Sequence, residues 1–135
     1  MTDPELVAKR LAFIETCVHE LRTLARPERI SDDLREERFV EHTLQLAIQA
    51  ALDVGSHIVS DDRLGEPESG RDVFRLLGRG GILPADLVSR LERMASFRNV
   101  VVHVYQDVDL GVVRDVVENH LGDLLEFAAT IRRKL

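Results

Sequence analysis

Apolar residues recur every three or four positions along almost the whole chain, and no stretch alternates for long between apolar and polar residues. This spacing places apolar side chains on one face of a helix, whereas a half-buried strand needs a period of two. Proline and glycine residues divide the pattern into four or five segments. The predicted helices run from Pro4 to just before Pro27, from a Ser31 or Asp32 cap to about Val59, from Arg71 to about Leu77, from Pro84 towards Val102, and from near Asp109 almost to the C-terminus.

The run from Val100 to Tyr105 is rich in β-branched residues, which favour strands. No second strand is available to pair with it, so we interpret the run as the end of the fourth helix. Gly78, Gly80 and Gly81 are interpreted as a helix stop, because a phosphate-binding loop needs a preceding strand and a lysine. The predicted fold is therefore all-α, an up-and-down bundle of four to five helices.

Composition indicates a single globular domain spanning residues 1–135, since 44% of the residues are hydrophobic and 31% are charged. The only cysteine, Cys17, has no partner for an internal disulfide, so we predict that it lies in the core of a protein from a reducing compartment. No apolar run is long enough to span a membrane, and the N-terminus lacks the order of a signal peptide. The expected location is the cytoplasm.

The formal net charge is −6. A protein that holds nucleic acid mainly through phosphate contacts is usually basic, so this composition disfavours a general nucleic-acid binder. Any action on RNA should be local and transient, or should be helped by a symmetric partner or another subunit.

Four residues able to handle phosphate or protons cluster near the end of the fourth helix: Arg98, Asn99, His103 and Tyr105. Asn99 and His103 are four apart and share a face if the helix continues. Arg98 and His103 are five apart, which is about 140° of rotation, so they do not face the same way. Either the helix distorts, or two copies of the segment meet. We favour a symmetric dimer for that reason.

Cleavage of RNA by its own 2′-hydroxyl group suits these side chains. Histidine gives or takes a proton near neutral pH, and a guanidinium matches the charge that collects on phosphate oxygens, without a metal or cofactor. The alternative is structural, with Arg98 in a salt bridge and His103 at a helix C-terminus. Spacing alone favours this structural alternative.

The order Arg98-Asn99-x-x-x-His103-x-Tyr105 resembles the signature of the HEPN superfamily, and more narrowly that of the HepT toxins, in which tyrosine follows the histidine by two. Further stretches share the resemblance. They are LQLAIQAALDVGSHIV in the second helix, GEPESGRDVFRLL after it, and RNVVVHVYQDVD around the motif.

The resemblance implies a HEPN-like homodimer with the motifs facing a shared cleft. It implies a metal-independent endoribonuclease toxin, with Arg98 and His103 as the catalytic pair and Asn99 in support. The implied partners are RNA and a nucleotidyltransferase antitoxin, which transfers AMP from ATP to Tyr105. That modification adds negative charge where RNA phosphate must sit, and should block the site.

The second helix carries a polar line that the resemblance places along the cleft. On spacing alone this line is a solvated helix face. Gln49 and Asp53 match polar positions of the family, and we predict that Asp53 supports the site by orienting His103 or pairing with Arg98. No histidine pair has the spacing of a metal site. The residues of the line are His42, Gln45, Gln49, Asp53 and either Ser56 or His57.

Two other functions stay open. The chain is alternatively a non-catalytic helical docking module that binds a nucleotidyltransferase and presents Tyr105. The remaining alternative is a purely structural dimer, in which the motif tolerates mutation without a phenotype.

Overall fold

The computed structural model describes residues 3–102 and 109–135, and all regular structure within these ranges is helical. Of residues 100–102, only the helical backbone is described. The elements are α1 (Pro4–Thr23), a short 3₁₀ turn (Pro27–Arg29), α2 (Leu34–Asp61), α3 (Gly70–Arg79), α4 (Ala85–Val102), α5 (Leu110–Asn119) and α6 (Leu121–Arg132).

Side-chain caps set where several of these helices begin. The Asp3 carboxylate accepts hydrogen bonds from the amides of Glu5 and Leu6, so the predicted start of α1 is confirmed. The predicted Ser31 or Asp32 cap of α2 is wrong, because Asp33 accepts from the amide of Arg35 at 2.9 Å. All three neighbouring residues are good cap formers, and the folded position of α2 decides among them.

The C-terminal segment is two helices, not the single helix predicted from the repeat of apolar residues. His120 leaves the helical conformation at φ −123° and ψ 2°, and separates α5 from α6. Gly122 lies two residues after His120. Glycine in a helix interior is less favourable than alanine by about 1 kcal/mol. The His120 ring also lies 3.0 Å from the Asp115 carboxylate, which holds the break in place.

Helix α2 is the centre of the bundle. It is 28 residues long and contacts each of the other five α-helices. Its buried face joins one continuous apolar core, which contains the edge-to-face pair of Phe74 and Phe127 and the predicted buried Cys17. No helix within the described ranges is long and apolar enough to cross a membrane.

Helix α2 contacts both α1 and α4, and the polar residues Gln49 and Asp53 lie in its C-terminal half. Polar residues of α2 that escape the core therefore face side chains from both neighbours. This arrangement brings the candidate site together.

Candidate functional site

A chain of three hydrogen bonds links α1, α2 and α4. Gln49 Oε1 accepts from Arg98 Nη2, and Gln49 Nε2 donates to Asp53 Oδ1 at 2.8 Å. The other carboxylate oxygen, Asp53 Oδ2, accepts from Arg10 Nη1 at 3.5 Å. Gln49 and Asp53 are four residues apart on α2, so their side chains are neighbours on one helix face. We call Arg10, Asp53, Gln49 and Arg98 the arginine relay.

All four relay side chains are half-buried. The Nε atoms of Arg10 and Arg98 are shielded from solvent, and neither has a hydrogen-bond partner among the described residues. A guanidinium has five donors, and the described hydrogen bonds of Arg10 and Arg98 each use a single Nη atom, so the donors left for a ligand are Nη hydrogens and not the shielded Nε–H. With two cations and one anion, the relay carries a formal charge of +1 on a chain whose net charge is −6.

Arg98 and Asn99 also border a groove beside the N-terminus of α3. Its volume is about 290 Å³. Gly70 makes the wall of the groove tight, because a Cβ atom there would lie 3.2 Å from Leu52 and 3.4 Å from Ala95. The lining residues are Gln49, Leu52, Ser56, Pro67, Glu68, Ser69, Gly70, Val73, Ala95, Arg98 and Asn99.

The structure brings together part of the predicted site. Arg98 is half-buried within the relay, and Asn99, the next residue on α4, is exposed. Asp53 reaches Arg98 through Gln49, and not by the direct pair predicted from the sequence. His103 and Tyr105 lie outside the described residues. Whether Asp53 orients His103 therefore stays a prediction.

Sequence reasoning missed Arg10. The residue lies on α1 among the buried positions Val7, Leu11 and Ile14. A charged residue at helical spacing within an apolar stripe was the available signal, since such positions normally face the protein interior.

A second groove on the other side of α4 offers a contrast. It also has a volume of about 290 Å³ and is lined partly by Met94, Phe97, Val112 and Val116. Two arginines line it: the exposed Arg93, and Arg90, whose guanidinium donates hydrogen bonds to three carboxylates. Across residues 3–102 and 109–135, no three histidine, cysteine or acidic side chains are grouped as metal ligands.

The sequence of the chain also matches a known protein family. Over residues 14–131 the chain matches the family described as Ribonuclease HepT-like. The chain therefore belongs to that family. The predicted HepT resemblance is confirmed, and the HepT-like chain is placed among ribonucleases.

Two relatives and one solved structure illustrate the family. The mRNA nuclease HepT of Shewanella oneidensis is 30% identical over 129 residues, which cover 95% of this chain and 97% of that protein. The tRNA nuclease HepT of Aphanizomenon flos-aquae is 30% identical over 112 residues, covering 79% of this chain and 74% of that protein. The tri-AMPylated HEPN toxin of Shewanella oneidensis, solved in complex with an MNT antitoxin, is 30% identical and superimposes with a TM-score of 0.87. The alignment covers 98% of this HepT-like chain and 99% of that toxin, so the predicted all-helical HEPN fold is confirmed.

Proposed function

We propose that this HepT-like chain is the toxin of a toxin–antitoxin pair and cleaves RNA without a metal ion. Family membership supports the reaction class, and the relatives named above are nucleases of mRNA and tRNA. The observation that carries the proposal is the state of Arg98. Its guanidinium donates through Nη2 to the neutral amide of Gln49, and no carboxylate of the described residues forms an ion pair with it.

The proposed reaction is attack of a ribose 2′-oxygen on the adjacent phosphorus. His103 takes the 2′-hydroxyl proton as the new P–O bond forms. Arg98 donates hydrogen bonds to the phosphorane oxygens, where negative charge increases. The bond to the 5′-oxygen then breaks, and that oxygen receives a proton from a second proton-transfer group. The products are a 2′,3′-cyclic phosphate and a 5′-hydroxyl.

We place the second proton-transfer group in a second copy of the chain. Arg98 and His103 are five residues apart in the sequence, a spacing that would turn them away from each other on a continuous helix, and a homodimer brings both residues to one site. Asn99 is exposed at the end of α4 and is proposed to position the RNA backbone beside Arg98. The functional unit is thus a dimer of HEPN-like domains, each spanning residues 1–135, acting in the cytoplasm where mRNA and tRNA are present.

Complementation tests the shared cleft directly. Arg98→Ala and His103→Ala chains are inactive as homodimers under this proposal. Mixing them after unfolding and refolding should restore part of the cleavage, because the shared cleft of each heterodimer then contains one wild-type Arg98 and one wild-type His103, contributed by different chains. No recovery in verified heterodimers would place both residues of a site in one chain.

The proposed partner is a nucleotidyltransferase antitoxin. The Tyr105 hydroxyl attacks the α-phosphate of ATP, pyrophosphate leaves, and the phenolic proton goes to solvent. The Shewanella toxin described above carries three AMP groups, which supports modification of this kind. AMP on Tyr105 adds negative charge close to Arg98 in the sequence, and this charge competes with RNA phosphate.

Intact mass and RNA cleavage test the whole proposal. The chain is expressed with and without the nucleotidyltransferase, and each form is assayed on RNA with and without EDTA. We expect whole AMP additions on Tyr105 and loss of cleavage with the enzyme, and EDTA-resistant cleavage without it. Absence of cleavage by the unmodified chain, with Arg98→Ala indistinguishable from wild type, would support the docking module instead.

A further inference from the structure

Arg10 is the relay residue that neither the predicted motif nor the resemblance identified. It lies on α1, 43 positions before Asp53 and far from the motif in sequence. Its guanidinium approaches the Asp53 carboxylate at 3.5 Å, and both side chains are 40% exposed. A half-buried ion pair that is this accessible to water, at this N–O distance, adds little to folding stability. A role in the site explains the placement of Arg10 better than a role in folding.

The orientation of Gln49 shows how Arg10 reaches the site. An amide has one oxygen that accepts and one nitrogen that donates. Arg98 only donates, and ionised Asp53 only accepts, so the oxygen of Gln49 must face Arg98 and its nitrogen must face Asp53. This is the observed arrangement. Successive bonds polarise one another, so the Asp53 carboxylate makes Gln49 Oε1 a stronger acceptor for Arg98.

The same carboxylate can also compete with the substrate phosphate for the donors of Arg98. Asp53 is separated from the guanidinium by a single amide group, and an ionised carboxylate binds a guanidinium more strongly than a neutral amide does. Without a counter-charge, Asp53 would draw Arg98 into a direct ion pair. The phosphate of the substrate would then have to compete with that pair for the same donors.

Arg10 supplies the counter-charge from the opposite side. It contacts the carboxylate oxygen that Gln49 does not use, Asp53 Oδ2. Asp53 can therefore accept from Gln49 while its charge is offset by α1. Arg98 keeps an uncompensated positive charge in the groove.

We propose that Arg10 is a positioning residue for RNA cleavage: it occupies Asp53 and thereby leaves Arg98 free for the phosphate. This inference rests on the proposed function of Arg98. It extends the site to α1, which contributes no residue to the motif.

Three variants test the role of Arg10 through the reaction. Arg10→Gln removes the charge and should lower kcat between about tenfold and a hundredfold, with little change in KM, because Arg98 is held in the wrong place. Arg10→Lys keeps the charge and should recover most of kcat. Arg10→Gln combined with Asp53→Asn removes the competing carboxylate but keeps an acceptor for Gln49, and should restore much of the loss.

The matched control is Arg132→Gln. Arg132 also pairs with an α1 carboxylate, Glu15, at 2.6 Å, and the two side chains are 42% and 41% exposed. Its loss removes a comparable ion pair of α1 without touching the relay. Thermal unfolding is measured for every variant, so that a change of kcat is compared only between chains that are folded.

A readout that does not depend on cleavage follows the Arg98 Nε–H signal by NMR, assigned with Arg98→Lys. The signal should move in Arg10→Gln and return in the double variant. An unchanged Arg98 signal in Arg10→Gln would overturn the inference. So would a raised KM of Arg10→Gln for RNA with a weaker salt dependence and no rescue by Asp53→Asn, because that result identifies Arg10 as a phosphate contact. If wild type leaves RNA intact but the NMR pattern holds, the proposed function fails while the positioning of Arg98 stands.

Discussion

Two arginines eight residues apart on α4 have opposite surroundings. Arg90 binds three carboxylates, with Nη1 at 2.7 Å from Asp123 and 2.9 Å from Glu126, and Nη2 at 3.3 Å from Asp86. These hydrogen bonds, first that of Glu126 and then that of Asp123, raise the pKa of Arg90 above its ordinary value. Arg98 is held instead by the neutral amide of Gln49.

The difference teaches that local compensation, more than net charge, decides which cation is available to a phosphate. The positive charge of Arg90 is used within the fold, where it joins α4 to α6. That of Arg98 is kept for a ligand, and the one nearby carboxylate is occupied by Arg10. An acidic chain can therefore present a cationic site at one point of its surface.

The largest effect is expected from removing the two arginines in turn. Arg98→Ala should lower kcat for RNA by about 10² to 10³, the cost of losing one charge-stabilising donor group. Arg90→Gln should stay within about twofold of wild type, because its donors never reach substrate. Single-turnover cleavage of a short RNA measures both. Equal losses in the two variants would remove the distinction between them.

A single substitution should make Arg98 resemble Arg90. Gln49→Glu places a carboxylate directly against the Arg98 guanidinium, so the phosphate must displace an ion pair. We expect cleavage to fall about tenfold to a hundredfold, since a charged acceptor binds about twice as strongly as a neutral one. Gln49→Ala, which adds no charge, is the control for loss of the amide, and should be less impaired if compensation of charge is the cause.

Loss of Arg90, which has little effect on cleavage, should have a clear effect on the free energy of unfolding. Arg90→Gln leaves the Asp123 carboxylate, only 12% exposed, without its 2.7 Å partner. The free energy of unfolding should fall by about 1–3 kcal/mol, the usual cost of an unpaired buried polar group. Urea unfolding measures it. Arg114→Gln, which breaks an exposed pair with Glu118, should change stability by less than about 0.5 kcal/mol, and a larger effect there would contradict this ranking.

The smallest effect on RNA cleavage is expected at Cys17, whose reactive thiol is buried away from solvent. Cys17 is 2% exposed, and burial, with a contribution from Glu20, raises the pKa of its thiol to about 11. Cys17→Ala should cost about 1 kcal/mol of stability and leave cleavage unchanged. Ellman's reagent at neutral pH should react with the wild-type chain only as it unfolds. Rapid labelling of the native chain would show that the thiol is accessible.

The helical pattern of the sequence was enough to predict most of the fold. Apolar spacing located four helices, and Asp3 and Pro4 marked the start of α1. Gly80 and Gly81 follow the end of α3 as predicted, but Gly78 lies inside that helix, which continues to Arg79. The break at His120 was not predicted, because the buried apolar residues keep helical spacing on both sides of it. These residues are Val113, Val117, Leu121 and Leu124. A pattern of apolar residues cannot reveal a one-residue change of backbone conformation that leaves these four residues on the buried side.

The site was predictable only in part, for a related reason. The motif spacing and the resemblance singled out Arg98, and the polar line of α2 singled out Gln49 and Asp53. Which of the two contacts Arg98 depends on the height at which α4 crosses α2. Whether Arg10 joins the relay depends on the height at which α1 packs against α2. Neither packing height can be deduced from the local sequence. The catalytic roles of Arg98 and His103, and the modification of Tyr105, stay predictions.

The contact between the first and last helices has a consequence for how the protein is made. Glu15 and Arg132, which join α1 to α6, are 117 positions apart, and Phe127 of α6 completes the core around Phe74. This contact cannot form until residue 132 has been synthesised, and until then α1 is held against the bundle mainly by α2. The pairing of Glu15 with Arg132 therefore closes the bundle only after most of the described helices have been made.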